Sequence, residues 1–349
     1  MGTLGLLRRQ RPRLRNHPIK LAQGAVTSSV LRQASFFWLR QDVVRGTPVI
    51  YSNFVGYDDV AHYCGPADYE AQVVLAGFDR NLRKLLRFAR RHGALRYDLV
   101  VLSDHGQSPS MPFRLLYGRS LGQVVADLAG QAVVQGASAG DAAYLDVLLR
   151  EMAPGRDRHA WAVRRGERTL TRIRDRRGSG LDQEGRSDRT VPAAEAGDHS
   201  DLAVCVSGCL AHLYVKGEGR PLHLEEIRER LPGVVEALAG HPGIGLVGAR
   251  LAGGGAVVLG ADGLRHLDSG EVVGEDPLQA YGDPQRWAPE WRRLLDGDSS
   301  GDLLLNGSWL ADQGKVVVFE EQTSSHGGLG GPQTEPFVMV PRHWRTGSA

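Results

Sequence analysis

The sequence predicts an α/β protein built on a mostly parallel sheet, and three stretches carry that expectation. Pro48 to Phe54, Tyr97 to Ser103 and Val316 to Glu320 are short apolar or aromatic runs that read as strands. Between the first two lies Asp68 to His92, with Val73, Val74, Leu75, Phe78, Leu82, Leu85, Leu86 and Phe88 at helical spacing. Strand, helix and strand in that order predict a βαβ unit and hence a parallel pair. At 349 residues, 42% hydrophobic and 23% charged, the chain is long and apolar enough to bury a real core.

In chain order, Met1 to Lys20 is a basic arm, expected to be disordered, and no acidic residue occurs before Asp42. Such an arm is read as a solvated tail, with a phosphate- or lipid-binding arm, attaching to nucleic acid or anionic lipid, as the sharper alternative. Leu21 to Val44 has helical spacing, closed by Arg45-Gly46-Thr47-Pro48. The arginines and lysine on the outer side of Asp68–His92 read as the wet face of a core helix, so no specific nucleic-acid partner is predicted. Phe113 to Leu128 is expected to contain a helix with Ser120 as its N-cap. Residues 21–128 thus form the first part of the α/β domain, and 129–200 are expected to be an Arg-rich flexible insertion, with a short helix over Ala143 to Met152. Residues 201–342 resume the domain: a strand-like Leu202 to Val215, a helical Leu222 to His241, short strands with Gly-rich turns over Ile244 to Val273, and a helix over Trp287 to Leu295. Residues 343–349 are a tail.

Several functional classes are disfavoured. The net charge of +2 implies no particular partner. Cys64, Cys205 and Cys209 have no CxxC spacing, so they read as buried free thiols rather than a disulfide framework or thiolate metal site. No apolar run reaches the roughly 20 residues of a membrane span, so a soluble chain, cytoplasmic or peripheral to a membrane, is expected. Gly253-Gly254-Gly255 lacks the Lys-Ser/Thr of a phosphate loop and reads as a hairpin turn. His212, His223, His241 and His266 have no ligand-like neighbours at suitable spacing and read as solvated or locally bonded.

What remains are the strand ends. The first predicted strand leads to Asp58 and, four residues on, His62; one helical turn would place both on one face. The second stops at Asp104-His105 and the third near His326, in a loop with Gly327, Gly328, Gly330 and Gly331. Carboxylate and imidazole are common zinc ligands, and ligands bind at the carboxyl ends of strands in open α/β sheets. Asp58, His62 and His326 are expected to share one ion, with Asp104 and His105 facing a neighbouring one. Two divalent cations about 4 Å apart suit phosphoryl transfer. Zinc is expected first, and the donor set also admits manganese or iron.

These motifs resemble the alkaline phosphatase superfamily, in particular its nucleotide pyrophosphatase/phosphodiesterase-like branch and bacterial "alkaline phosphatase family" proteins. YDDVAHYCGP is similar to that branch's Asp-x-x-x-His-x-x-Gly-Pro element, LSDHGQS to its Asp-His-Gly element, and SSHGGLGGPQTEPF to its late histidine loop. The likeness runs from about Val26 to Pro341. It implies a three-layer sandwich, hydrolysis of phosphate mono- or diesters, a phosphate-ester small molecule as substrate, and zinc on Asp58, His62 and His326 with Asp104 and His105 at a second site. The family pattern also has an earlier strand ending in a metal-binding Asp, then a Ser or Thr nucleophile at a helix start. Thr27, Ser28 and Ser29 have no preceding Asp and are rejected for that role. The expectation is therefore an N-terminally truncated hydrolase without its nucleophile; the alternative is a non-catalytic, metal-binding or partner-binding remnant.

Overall fold

The computed structural model describes residues 32–137, 190–192, 201–217 and 219–344. The basic arm, Thr27, Ser28, Ser29, the expected helix at Ala143–Met152 and the Arg-rich segment lie outside the described residues. So do 345–349, most of the expected tail.

The chain is mixed α/β. Residues 32–45 form helix α1; Tyr57–Cys64 form α2 and Tyr69–His92 form α3, which opens at Asp68. Phe36, Leu39 and Val43 of α1 pack with Leu85 of α3 and, less completely buried, Phe78, Leu82 and Phe88. Then come β1 (Val101–Leu102), β2 (Ser108–Pro112), α4 (Phe113–Tyr117) and α5 (Leu121–Ala129). Ser120 caps α5 through a capping box with Gln123, the local chemistry that fixed its start.

The largest sheet has nine strands. They are β3 (Val133–Ala137), β4 (Thr190–Pro192), β5 (Leu202–Ser207), β6 (Leu210–Val215), β7 (Ile244–Arg250), β8 (Ala256–Leu259), β9 (Gly263–His266), β10 (Val272–Gly274) and β11 (Leu303–Gly307). Their order is β10-β9-β8-β7-β11-β6-β5-β3-β4. Beside it lies a four-stranded sheet of β12 (Trp309–Leu310), β13 (Lys315–Val318), β2 and β14 (Ser324–Ser325), in the order β12-β13-β2-β14. The large sheet therefore reaches into the stretch expected to be an insertion.

Helices α6 (Leu224–Arg230) and α7 (Val234–Ala239) replace the single expected helix, because Pro232-Gly233 breaks it and Gly233 turns left-handed at φ 75°. With α5 they cover one face of the sheet, where Leu303 and Leu305 point. Helix α8 (Pro284–Leu295) covers the other, where Leu304 meets Trp291 and Leu295. Period-2 alternation along β11 thus feeds two cores, giving helix, sheet and helix layers. Gly248 of β7 supplies the flat spot on which the Trp291 ring lies. Trp291→Ala is expected to cost about 3–5 kcal/mol, read from urea unfolding.

The sheet is not mostly parallel, which corrects the sequence expectation. Within the nine strands only β3–β4 and β3–β5 pair in parallel; in the smaller sheet only β13–β2 does. Tight turns such as that at Gly208 join β5 to β6 and force an antiparallel ladder. The expected βαβ pair does not form either. Residues 48–55 form no strand and have no ladder partners, with Ile50 and Phe54 against α1 and α3 while Val49 and Tyr51 are 84% and 82% exposed. β1, all that remains of the second expected strand, pairs antiparallel with β15 (Val338–Met339). The expected strand at Pro48–Phe54 does not form, and of Tyr97–Ser103 only two residues are strand, because hydrophobic spacing carries no information on which edge a run would find.

The three cysteines are free: Cys209 is buried and Cys64 partly so, but Cys205 is exposed, against the expectation. Among the described residues, no helix is long and apolar enough to cross a membrane.

Candidate metal centre

Helix α2 carries the first two donors. Val60 and Ala61 are buried and anchor it, so Asp58 and His62, one turn apart, lie toward the sheet end. The C-terminal half of α2 is laced to the chain entering β14. Thr323 donates its N–H and hydroxyl to the His62 carbonyl at 2.7 and 3.1 Å, and Ser324 Oγ donates to Ala61 O at 2.5 Å. His326 follows β14 directly, and β14 pairs with β2, whose preceding residues are His105, Gly106 and Gln107. Backbone pairing thereby gathers three remote stretches.

Asp58 Oδ2 lies 3.2 Å from His62 Nε2 and 3.4 Å from His326 Nε2. The His326 ring stacks on His105, centroids 3.6 Å apart, and stands 5.0 Å from the His62 ring. Donor atoms of Asp58, His105 and His326 all fall within 4.8 Å of one another. Asp104 is the outlier: its side chain is 75% exposed, and its Oδ1 accepts the His105 N–H at 3.1 Å and sits 3.5 Å from His105 Nε2. His105 is thus drawn to the Asp58 cluster, while Asp104 faces water.

Asp58, His105 and His326 form the set whose donor atoms could hold one divalent cation, while His62 reaches Asp58 from outside that set. Two ligands of a tetrahedral zinc with bonds of about 2.1 Å sit about 3.4 Å apart, the spacing found between Asp58 Oδ2 and the imidazoles of His62 and His326. The second argument is electronic. His62 Nδ1 lies 2.8 Å from Ser324 O, a contact that requires a proton on Nδ1. In the neutral ring Nε2 is then a lone pair facing a carboxylate oxygen, and only a proton or a cation makes that contact favourable.

The titration shifts have the same origin. Burial would raise the Asp58 carboxyl, but hydrogen bonds from His326 and His62, with their charge, hold it far below the usual range. Burial would lower His62, yet the hydrogen bond and charge of Asp58 and the Ser324 carbonyl raise it. The sign follows for protein without bound cation. The depressed Asp58 adds stability above the unfolded carboxylate value of about 4 and loses it as pH falls through its folded value. The raised His62 adds stability below the unfolded imidazole value of about 6.5 and loses it as pH rises through its folded value. Urea midpoints of wild type and Asp58→Asn are therefore expected to differ most between about pH 4 and 6.5 and to converge on the alkaline side. Midpoints that run parallel across pH 4 to 9 (roughly the span of both groups) would contradict this.

Sequence reading passed over two supports. Gln107 Nε2 donates to Asp58 Oδ1 at 3.3 Å, leaving Oδ2 to the imidazoles. Gln107 directly follows Asp-His-Gly, the one signal that singled it out. The Ser324 carbonyl is a backbone group and left no trace in the sequence. His212, His223 and His241 are locally bonded as expected: to Gly301 N–H, to Glu226 and to Gly243 N–H.

A mixed α/β domain with a carboxylate and three imidazoles gathered at strand and helix ends is the class that fold and site define. Residues 22–171 match the model of the type I phosphodiesterase / nucleotide pyrophosphatase family. This is the alkaline phosphatase-superfamily branch that the motifs resemble, and it supports a phosphoester hydrolase-like function. The matched residues include Asp58, His62, Asp104 and His105 and stop short of His326. No curated protein and no solved structure matches the chain.

Proposed function

We propose that this chain is a metal-dependent hydrolase of phosphate mono- or diesters, using two divalent cations of which zinc is the first choice. Asp58, His62 and His326 would hold one ion. His105 borders it and, with Asp104, would supply donors to the second. The observation that carries this reading is the pair of Nε2 atoms within 3.4 Å of one carboxylate oxygen. A bound cation of this kind neutralises phosphate charge and lowers the pKa of an attacking water.

The residues themselves do the positioning. Gln107 occupies Asp58 Oδ1, and the Ser324 carbonyl fixes the tautomer of His62 so that Nε2 is the donor atom. The hydroxyls of Ser108, Thr323, Ser324 and Ser325 each donate to a backbone carbonyl, so none is poised as a nucleophile. We read the attacking group as water, or as a hydroxyl from outside the described residues.

The test is zinc stoichiometry on the purified chain, followed by hydrolysis of bis-nitrophenyl phosphate and nitrophenyl phosphate in added zinc. Two equivalents with turnover are expected. Zinc uptake without turnover on either ester would favour the non-catalytic, metal-binding alternative, and no uptake would overturn both readings. Gln107→Leu is expected to weaken zinc binding about 10–100-fold by titration calorimetry, and unchanged affinity would remove Gln107 from the site.

A further inference from the structure

Away from this cluster, α3 carries a row of cations that neither the fold nor the site uses. Arg80, Lys84, Arg87 and Arg91 follow one another at helical spacing, all exposed, along about 16 Å of helix. Glu70 and Asp79 are the only acids in the helix, and Asp79 pairs with Arg83, outside the row. Arg40 of α1 joins the row, its guanidinium 5.7 Å from the Phe88 ring centre. Arg40, Lys84, Arg87, Phe88, Arg91 and His92 border one shallow, open concavity.

The apolar neighbours decide what this surface fits. Phe37 and Val44 lie three and four residues on either side of Arg40, so they share its side of α1. They are 54% and 50% exposed, although Phe36, Leu39 and Val43 of the same helix are buried. Cations beside an exposed aromatic ring and an aliphatic side chain, on an open and shallow surface, match the headgroup and acyl boundary of a bilayer. A duplex nucleic acid would use the cations but leave Phe37 and Val44 unexplained.

We propose that the ridge formed by Arg80, Lys84, Arg87 and Arg91 of α3 with Phe37, Arg40 and Val44 of α1 docks this protein on an anionic phospholipid membrane. The cations face lipid phosphates, and Phe37 and Val44 enter the interface between headgroups and acyl chains. The proposal is independent of the metal centre and does not require the basic N-terminal arm.

The test is co-sedimentation of the full chain with vesicles of phosphatidylglycerol mixed with phosphatidylcholine, and with phosphatidylcholine alone. Binding to the anionic vesicles only, falling as salt rises, is expected. The triple variant Lys84→Gln/Arg87→Gln/Arg91→Gln, all at exposed positions, is expected to bind on the order of 100-fold more weakly. Phe37→Ser is expected to weaken binding with no change in its salt dependence. Equal binding by the triple variant would assign attachment elsewhere on the chain and overturn the ridge. So would absence of vesicle binding, or tighter binding to an RNA oligonucleotide than to the vesicles.

Discussion

Asp58→Ala is expected to abolish zinc binding at the centre, weakening it by well over 100-fold, more than the loss of a supporting partner costs. Among the described residues, the Asp58 carboxylate contacts both Nε2 atoms, so its loss removes a ligand and the charge that offsets a dication. His326→Ala removes one neutral donor and is expected to have the smaller effect. A bound ion stabilises the folded state by mass action. A thermal midpoint that rises with added zinc in wild type should therefore stay flat in Asp58→Ala. If the variant still takes up zinc and shifts like wild type, Asp58 is not a ligand.

Gly106→Ala is the second large effect, and its cause is space. A Cβ at Gly106 would collide with the Pro332 carbonyl and lie 3.0 Å from Glu335 O, in a loop that cannot retreat. That loop is held where Gly106 N–H donates to Gln333 O at 3.0 Å and Gln333 N–H to Ser108 Oγ at 3.0 Å. The Cβ must push the two loops apart, at a cost of about 3 kcal/mol or more. His105 precedes Gly106 and stacks on His326, so the same displacement opens the donor cluster. Zinc affinity and the urea midpoint should fall together. A variant with wild-type values of both would mean that the loops separate freely.

Much of the centre was legible in the sequence because its donors sit in local motifs. Asp58 and His62 are one helical turn apart, and His105 and His326 each adjoin a glycine just beyond a run of apolar residues. The supports were less visible. Gln107 acts across 49 residues of sequence and Ser324 across 262, the second through a carbonyl that every residue carries. Asp104 had the same local signature as the rest, yet its side chain faces solvent. Adjacent residues in an extended run point to opposite sides, and the sequence does not say which side is inward.

The helices followed from side-chain spacing and caps, as at α3 and at Ser120. Both are short-range effects written within a few residues. Strand partners are long-range, and short apolar runs look alike whichever neighbour they meet. The amphipathic helix α3, the cap at Ser120 and the chemistry of the donor motifs were therefore determined by sequence alone. The tertiary structure decided that the large sheet is mostly antiparallel, that residues 48–55 stay unpaired and that β1 joins β15. It also decided that one carboxylate oxygen faces two imidazoles. Hydrogen-bond ladders are chosen by whichever backbone edge the packed core leaves within reach, and that choice exists only once the chain has folded.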